Sequence, residues 1–213
     1  PKRILVLHGM PGVGKLTTAT RLRELLAPSF RLFHNHLVVD LCHSLFDFGT
    51  PQFNRTRYIR AVGVWRLSLA LLIVATSQLH IWLHLFRQAI ESELDLIFTF
   101  AFERTADEFF EQFLALCTEL GAQLLFVRLH CASETLRSRM TSDSRKTRAK
   151  LTDLTLFDQL IDSGFLYEGR GPTGDWLEID TTNSTADETA ALIAQRLREH
   201  EQQHEQQPQA PSS

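Results

Sequence analysis

The sequence predicts an α/β fold, a parallel sheet with helices on both faces. Two observations carry this. Short apolar or β-branched runs of strand length alternate with longer segments at helical spacing, and a glycine-rich turn joins the first run to the first helix. Alternation of this kind gives parallel strands with covering helices. No low-complexity linker divides the 213 residues before a tail rich in Gln, Glu and Pro, and 44% of the residues are hydrophobic. One core is therefore expected within residues 1–199, with 200–213 as a disordered tail.

The elements follow in order. ILVLH, residues 4–8, is an apolar run of buried-strand type ending at Gly9, and the apolar residues from Lys15 to Leu26 fall at helical spacing. Arg31–His34 is a weak second strand. LIFTF, Leu96–Phe100, is a strong third, since its apolar and β-branched content suits burial on both faces. Ala106–Leu120 reads as a helix, Gln123–Leu129 as a fourth strand, Ser133–Met140 and Leu154–Ile161 as helices, and Trp176–Ile179 as a fifth strand. A last helix is expected over Ala186–Arg198, with Asp180 and the threonines after it leading in. Arg57–Glu93 has no proline and no glycine after Gly63, and its uninterrupted apolar stretch, Leu67–Ala75, is far short of the ~20 residues a bilayer needs. Two packing helices, broken near Thr76–Gln78, are expected there rather than a membrane span.

A net charge of −3 excludes the basic balance that draws a protein to nucleic acid or to an anionic membrane. A small molecule is the expected partner, and the chain is expected to be a monomer or homodimer. Cys42, Cys117 and Cys131 are odd in number, lie far apart and lack a CxxC spacing, so neither a disulfide framework nor a zinc site is expected. Only four apolar residues, Ile4–Leu7, lie between Lys2-Arg3 and the glycine turn, too few for a signal-peptide core. A cytoplasmic location follows as the expectation.

Gly9-Met10-Pro11-Gly12-Val13-Gly14-Lys15 satisfies GxxxxGK. Such glycines let backbone N–H groups converge on phosphate oxygens, and the lysine brings a mobile positive charge to the β and γ phosphates. A buried strand before it and a helix beginning at Lys15 supply the context the motif requires, with the helix's positive end facing the anion. The next position usually carries Ser or Thr, whose hydroxyl ligates magnesium. Here it is Leu16. Magnesium must then be held by phosphates, water and other side chains, or the loop binds nucleotide without efficient chemistry. Thr17 and Thr18 offer hydroxyls further along, and Thr17 is a candidate for an α-phosphate or the metal.

Two further clusters lie where strands end. FHNHLVVDL, Phe33–Leu41, follows the second strand, and in a parallel sheet the carboxyl ends of strands line the ligand crevice. His34, Asn35, His36 and Asp40 are therefore candidates beside the transferred phosphate. His36 or Asp40 would handle an acceptor hydroxyl, Asp40 is also a metal candidate, and His34 with His36 is an alternative metal pair. The competing reading makes them polar residues that finish a strand. Arg137, Arg139, Arg145, Lys146, Arg148 and Lys150 cluster between two predicted helices, as a mobile lid neutralising transition-state charge or as a solvated loop.

Taken together, GMPGVGKLTTA, FHNHLVVDLCHSLFDFG, LIFTF, FVRLHC, SRKTRAKLTD and LEIDTT resemble small bacterial P-loop proteins related to shikimate kinases and chloramphenicol phosphotransferases, within the wider nucleoside-monophosphate-kinase-like class. The resemblance covers most of residues 3–198. It implies a three-layer α/β/α P-loop NTPase fold with a five-stranded parallel sheet and a basic lid. It also implies ATP with Mg2+ as cofactors, held through Gly9, Pro11, Gly12, Val13, Gly14, Lys15, Leu16 and Thr17. An acceptor site would fall on His34–Asp40, a lid on Arg139, Arg145 and Lys150, and adenine contacts on Asp180–Thr182, with Asp180 and Thr182 at their ends. The chain departs from those families in three places. His34, Asn35 and His36 stand where they place an aspartate, the third strand ends at Thr99 without their glycine run or aspartate, and the interval Phe53–Asp95 is longer.

The expected function is transfer of the γ-phosphoryl group of ATP to the hydroxyl of a small molecule. Lys15 would grip phosphate, His36 or Asp40 would orient the acceptor, and Arg139 with Arg145 would stabilise the transition state. Two alternatives stand beside it. One is an ATP-binding or slowly hydrolysing regulator without an acceptor, suggested by Leu16, and the other is a nucleotide kinase.

Overall fold

The structure, a computed structural model, describes residues 2–34, 82–101, 107–142, 151–166 and 177–206. Five strands, β1 (Arg3–His8), β2 (Phe30–His34), β3 (Asp95–Phe100), β4 (Gln123–His130) and β5 (Leu177–Asp180), alternate with helices. These are α1 (Lys15–Leu25), α2 (residues 82–91), α3 (Asp107–Glu119), α4 (Ser133–Met140), α5 (Leu154–Asp162) and α6 (Ala186–Gln206). The strands form one sheet in the order β2-β3-β1-β4-β5, every pair parallel. The predicted α/β class and five-stranded sheet are both present.

Strand alternation divides the core in two. Leu5, Leu7, Ile97, Val127, Leu129 and Ile179 point to one face and are covered by α1, α4, α5 and α6 through residues such as Ala19, Leu22, Met140, Phe157 and Ile193. Ile4, Val6, Leu96, Phe98, Phe100 and Phe126 point to the other, under Phe86 and Ile90 of α2 and Phe109, Phe110, Phe113 and Leu116 of α3. This second layer is aromatic. The Phe98 ring lies 4.9 Å from Phe86 and 5.8 Å from Phe113, between centroids. Edge-on and tilted pairs of this kind add about 0.5–1.5 kcal/mol each beyond their area burial.

The order of strands places the site. From β1 the chain crosses to β2 on one side, and from β3 it crosses back over β1 to β4. β1 is thus the point where connections diverge, and in open parallel sheets ligands bind outside the carboxyl end of that strand. The opposite end is closed by an ion pair. Arg3 donates from its backbone N to Asp95 Oδ1 at 2.9 Å and from Nε to Oδ2 at 3.0 Å, while its guanidinium lies 4.8 Å over the Phe30 ring.

One expectation shifts. α6 continues to Gln206, eight residues past the predicted end at Arg198. Only the last part of the long segment 57–93 falls among the described residues, where 82–91 is helical. The expected break near Thr76–Gln78 and the apolar stretch Leu67–Ala75 lie outside them. Among the described residues no helix is long and apolar enough to cross a membrane.

Candidate phosphate-binding site

β1 is buried along nearly its whole length and stops at His8 because Gly9 turns the chain sharply. Gly9 has φ +145°, and a Cβ placed there would sit 2.2 Å from the Leu129 carbonyl oxygen of β4. Only glycine lets the loop lie this close to the neighbouring strand. The loop then folds on itself, with Val13 N donating to Met10 O at 3.2 Å. Lys15 Nζ reaches back across it, donating to Gly9 O at 2.6 Å and to Met10 O at 3.0 Å. The ammonium group is therefore already held at the mouth of the loop.

α1 begins at once. Its N-cap is Gly14, which has no side chain to offer, and no acidic residue lies in its first turn. α5 and α6 behave differently, whereas α4, entered from Ala132, also has no side-chain cap. Asp153 caps α5 by accepting from Thr155 N and Leu156 N, and Thr185 with Glu188 forms a reciprocal box at the start of α6. Among the described residues the amino end of α1 has no side-chain carboxylate or hydroxyl competing for its N–H groups, and an anion is the partner its dipole favours. Gly9, Pro11, Gly12, Val13, Gly14 and Lys15 all lie in this loop and at the start of α1. Leu16 is half-buried with no ligating atom, Thr17 is exposed and Thr18 is buried.

His8, which the sequence reading did not single out, sits directly under the loop. It is almost fully buried, and its imidazole is lowered to about 3 by burial first, then by the charges of Lys15 and Arg128. It is a neutral group throughout the physiological range. Beside β1, Thr99 of β3 is 1% exposed and lies in register with Leu7 on one side and His34 on the other. His34 ends β2, half-buried. Asn35, His36 and Asp40 lie outside the described residues.

A second corner beside the loop forms where β4 and β5 end. Thr181, 3% exposed, donates from its backbone N to His130 O at 2.8 Å, and its Oγ1 lies 3.0 Å from the same oxygen and 3.3 Å from Val13 O. Asp180 Oδ1 accepts from Thr182 N at 2.8 Å and from Thr182 Oγ1 at 2.5 Å, and Thr182 Oγ1 in turn accepts from Ala132 N at 2.8 Å. The Thr182 hydroxyl and amide hold the Asp180 carboxyl below its ordinary value. Cys131 lies in the same corner, its thiol pushed up by burial.

The basic cluster separates into distinct roles. Arg137 pairs with Asp158, its guanidinium bridging α4 to α5 at 2.5 and 3.2 Å. Arg139 turns inward to Val13 and Thr181 rather than outward to a lid. Arg145, Lys146, Arg148 and Lys150 lie outside the described residues.

No protein-family model matches the sequence, and no curated protein matches it. Solved structures do. A candidate kinase from Chloroflexus aurantiacus superposes with a TM-score of 0.64 at 17% identity, over 91% of this chain and 97% of that one. A sugar kinase from Janibacter gives 0.56 at 17%, over 93% and 95%. An APS kinase from Mycobacterium tuberculosis, in complex with AMPPNP and APS, gives 0.51 at 12%, over 92% and 98%. These likenesses establish the fold, which is that of the P-loop kinases.

Proposed function

We propose that this chain is an ATP-dependent phosphotransferase that moves the γ-phosphoryl group of ATP to a hydroxyl of a small molecule, within a P-loop kinase-like domain spanning residues 1–199. One observation carries the reading. At the carboxyl end of the strand where the sheet's connections diverge, a glycine loop presents Lys15 Nζ beside an α1 N-terminus that no side chain among the described residues caps. That arrangement suits a polyphosphate, whose charge the ammonium and the loop N–H groups would meet together. Small-molecule kinases among the structural neighbours, one holding AMPPNP, support ATP as the donor.

In this reading the loop amides and Lys15 hold the β and γ phosphates, while Asp180 and Thr182 lie on the base side. His36 or Asp40 orients the acceptor hydroxyl, and Arg145 and Lys150 offset charge on the transferred group. Magnesium is a separate matter. Among the described residues no three or more His, Cys, Asp or Glu gather where they could hold a metal ion, and Leu16 offers no oxygen. The described donor set alone does not fit the ion. Thr17 and Asp40 are the side chains we propose for it, with phosphate and water completing the shell.

Leu16 is also the observation that favours a second reading, a nucleotide-binding regulator that turns over slowly or not at all. One experiment addresses both. ATP consumption is measured with and without magnesium across shikimate, gluconate, aminoglycosides, nucleoside monophosphates and other hydroxyl compounds. Acceptor-stimulated consumption supports the kinase. Saturable ATP binding without stimulation by any acceptor supports the regulator.

A further inference from the structure

Arg139 sits in the last turn of α4, at the head of the basic cluster, yet its guanidinium is spent within the fold. Nη1 donates to Thr181 Oγ1 at 3.1 Å and approaches Val13 O at 3.4 Å, while Nη2 donates to Thr181 O at 2.6 Å. These acceptors belong to segments the sheet does not join directly. Val13 lies in the loop after β1, Thr181 follows β5, and β4 runs between those strands. No ladder hydrogen bond can set their spacing.

The Thr181 hydroxyl does not fix it alone. It has one proton and faces two carbonyls, His130 O at 3.0 Å and Val13 O at 3.3 Å. When the proton goes to the nearer, the Arg139 fork is what keeps Val13 O tied to the Thr181 segment. The same helix holds the loop from a second side. A Cβ at Gly12 would lie 2.8 Å from Met140 Cγ and 3.2 Å from Leu136 Cδ1, so the loop backbone rests on α4 directly.

We propose that Arg139 is a positioning residue for the nucleotide, setting the distance between the phosphate loop at Val13 and the base-side segment at Thr181. The proposal rests on the nucleotide-binding reading above and deepens it. A nucleoside triphosphate has to satisfy both places at once, so its affinity depends on their separation. Inorganic tripolyphosphate touches the phosphate side alone, where the glycine turns, Lys15 and the Met140 contact persist without Arg139. A lysine at 139 keeps the charge but not the planar fork that reaches two segments together.

The test is calorimetric titration of the full chain with ATP and, separately, with tripolyphosphate, for wild type, Lys15→Ala, Arg139→Gln, Arg139→Lys and Thr181→Val, with unfolding midpoints recorded for each. Loss of charge-assisted hydrogen bonds predicts that both Arg139 variants weaken ATP about tenfold or more while tripolyphosphate stays within about twofold. Thr181→Val, which reaches the same link without touching a charge, shifts ATP in the same direction. Equal weakening of both ligands would mean that Arg139 contacts phosphate or merely supports the fold, and it overturns the proposal. So does an unchanged ATP affinity. Failure of the underlying reading looks different, because there wild type itself binds no ATP or Lys15→Ala leaves its affinity intact.

Discussion

Substituting alanine at Gly9 and at Gly14 separates two physical costs that glycine hides. Both have positive φ, +145° and +105°, where a side chain is strained whatever the space around it. At Gly14 a Cβ meets nothing within 4 Å among the described residues, so only the backbone term applies, about 1–2 kcal/mol. At Gly9 the Cβ would sit 2.2 Å from Leu129 O, part of a strand held on both sides by ladder bonds. Forcing strand and loop apart adds an overpacking term of about 1–3 kcal/mol, for a total of roughly 2–5 kcal/mol. For a chain of this size each kcal/mol moves Tm by about 2–4 °C, so Gly14→Ala lowers it by roughly 2–8 °C and Gly9→Ala by roughly 4–20 °C. Urea unfolding with a shared m-value gives the ordering directly. A Gly14→Ala variant as destabilised as Gly9→Ala would refute the account of the Leu129 contact.

Four other outcomes are expected. Lys15→Ala removes the loop's one ammonium group and its bonds to Gly9 O and Met10 O, and should reduce ATP affinity by about 10²-fold, read by calorimetry. Leu16→Ser restores a hydroxyl where magnesium is usually ligated, and a turnover that does not rise would count against metal coordination as the limit. His8 is held near 3 in the fold and near 6.5 when unfolded, so the unfolded chain takes up a proton that the native one refuses. Its contribution is present above pH 6.5 and is lost toward pH 3, at up to about 1.4 kcal/mol per pH unit, and His8→Gln should flatten the stability profile between pH 6.5 and 5. Asp153→Ala deletes the α5 cap and should cost about 1 kcal/mol in urea unfolding, with ATP binding unaltered.

The sheet could be read from the sequence because its central strands are buried on both faces, which forces continuous apolar runs such as Leu96–Phe100 and Ile4–Leu7. The end of α6 could not. EHEQQHEQ has residues that tolerate a helix well but no apolar periodicity to mark one, so composition alone reads it as a tail. The phosphate loop was legible for another reason. The grip proposed for it is made by backbone N–H groups, and a backbone that must double back announces itself through glycine. Arg139 shows the limit, since its partners Val13 and Thr181 lie 126 and 42 residues away and nothing local tells an inward-facing arginine from one on a solvated lid.

The same distinction bears on the leucine after the loop lysine. Leu16 lies in the first turn of α1, an uninterrupted helix from Lys15 to Leu25, and its carbonyl also accepts from Thr20 Oγ1 at 2.9 Å. What is missing is one side-chain oxygen. Phosphate affinity, written in the backbone, should survive that change with little loss, whereas metal coordination, written in side chains, has to be rebuilt from donors elsewhere. Binding and turnover therefore need not move together in this protein. A mutation at Leu16 that alters turnover while ATP affinity holds would place the two in different parts of the site, and the reverse pattern would return the leucine to the phosphate grip itself.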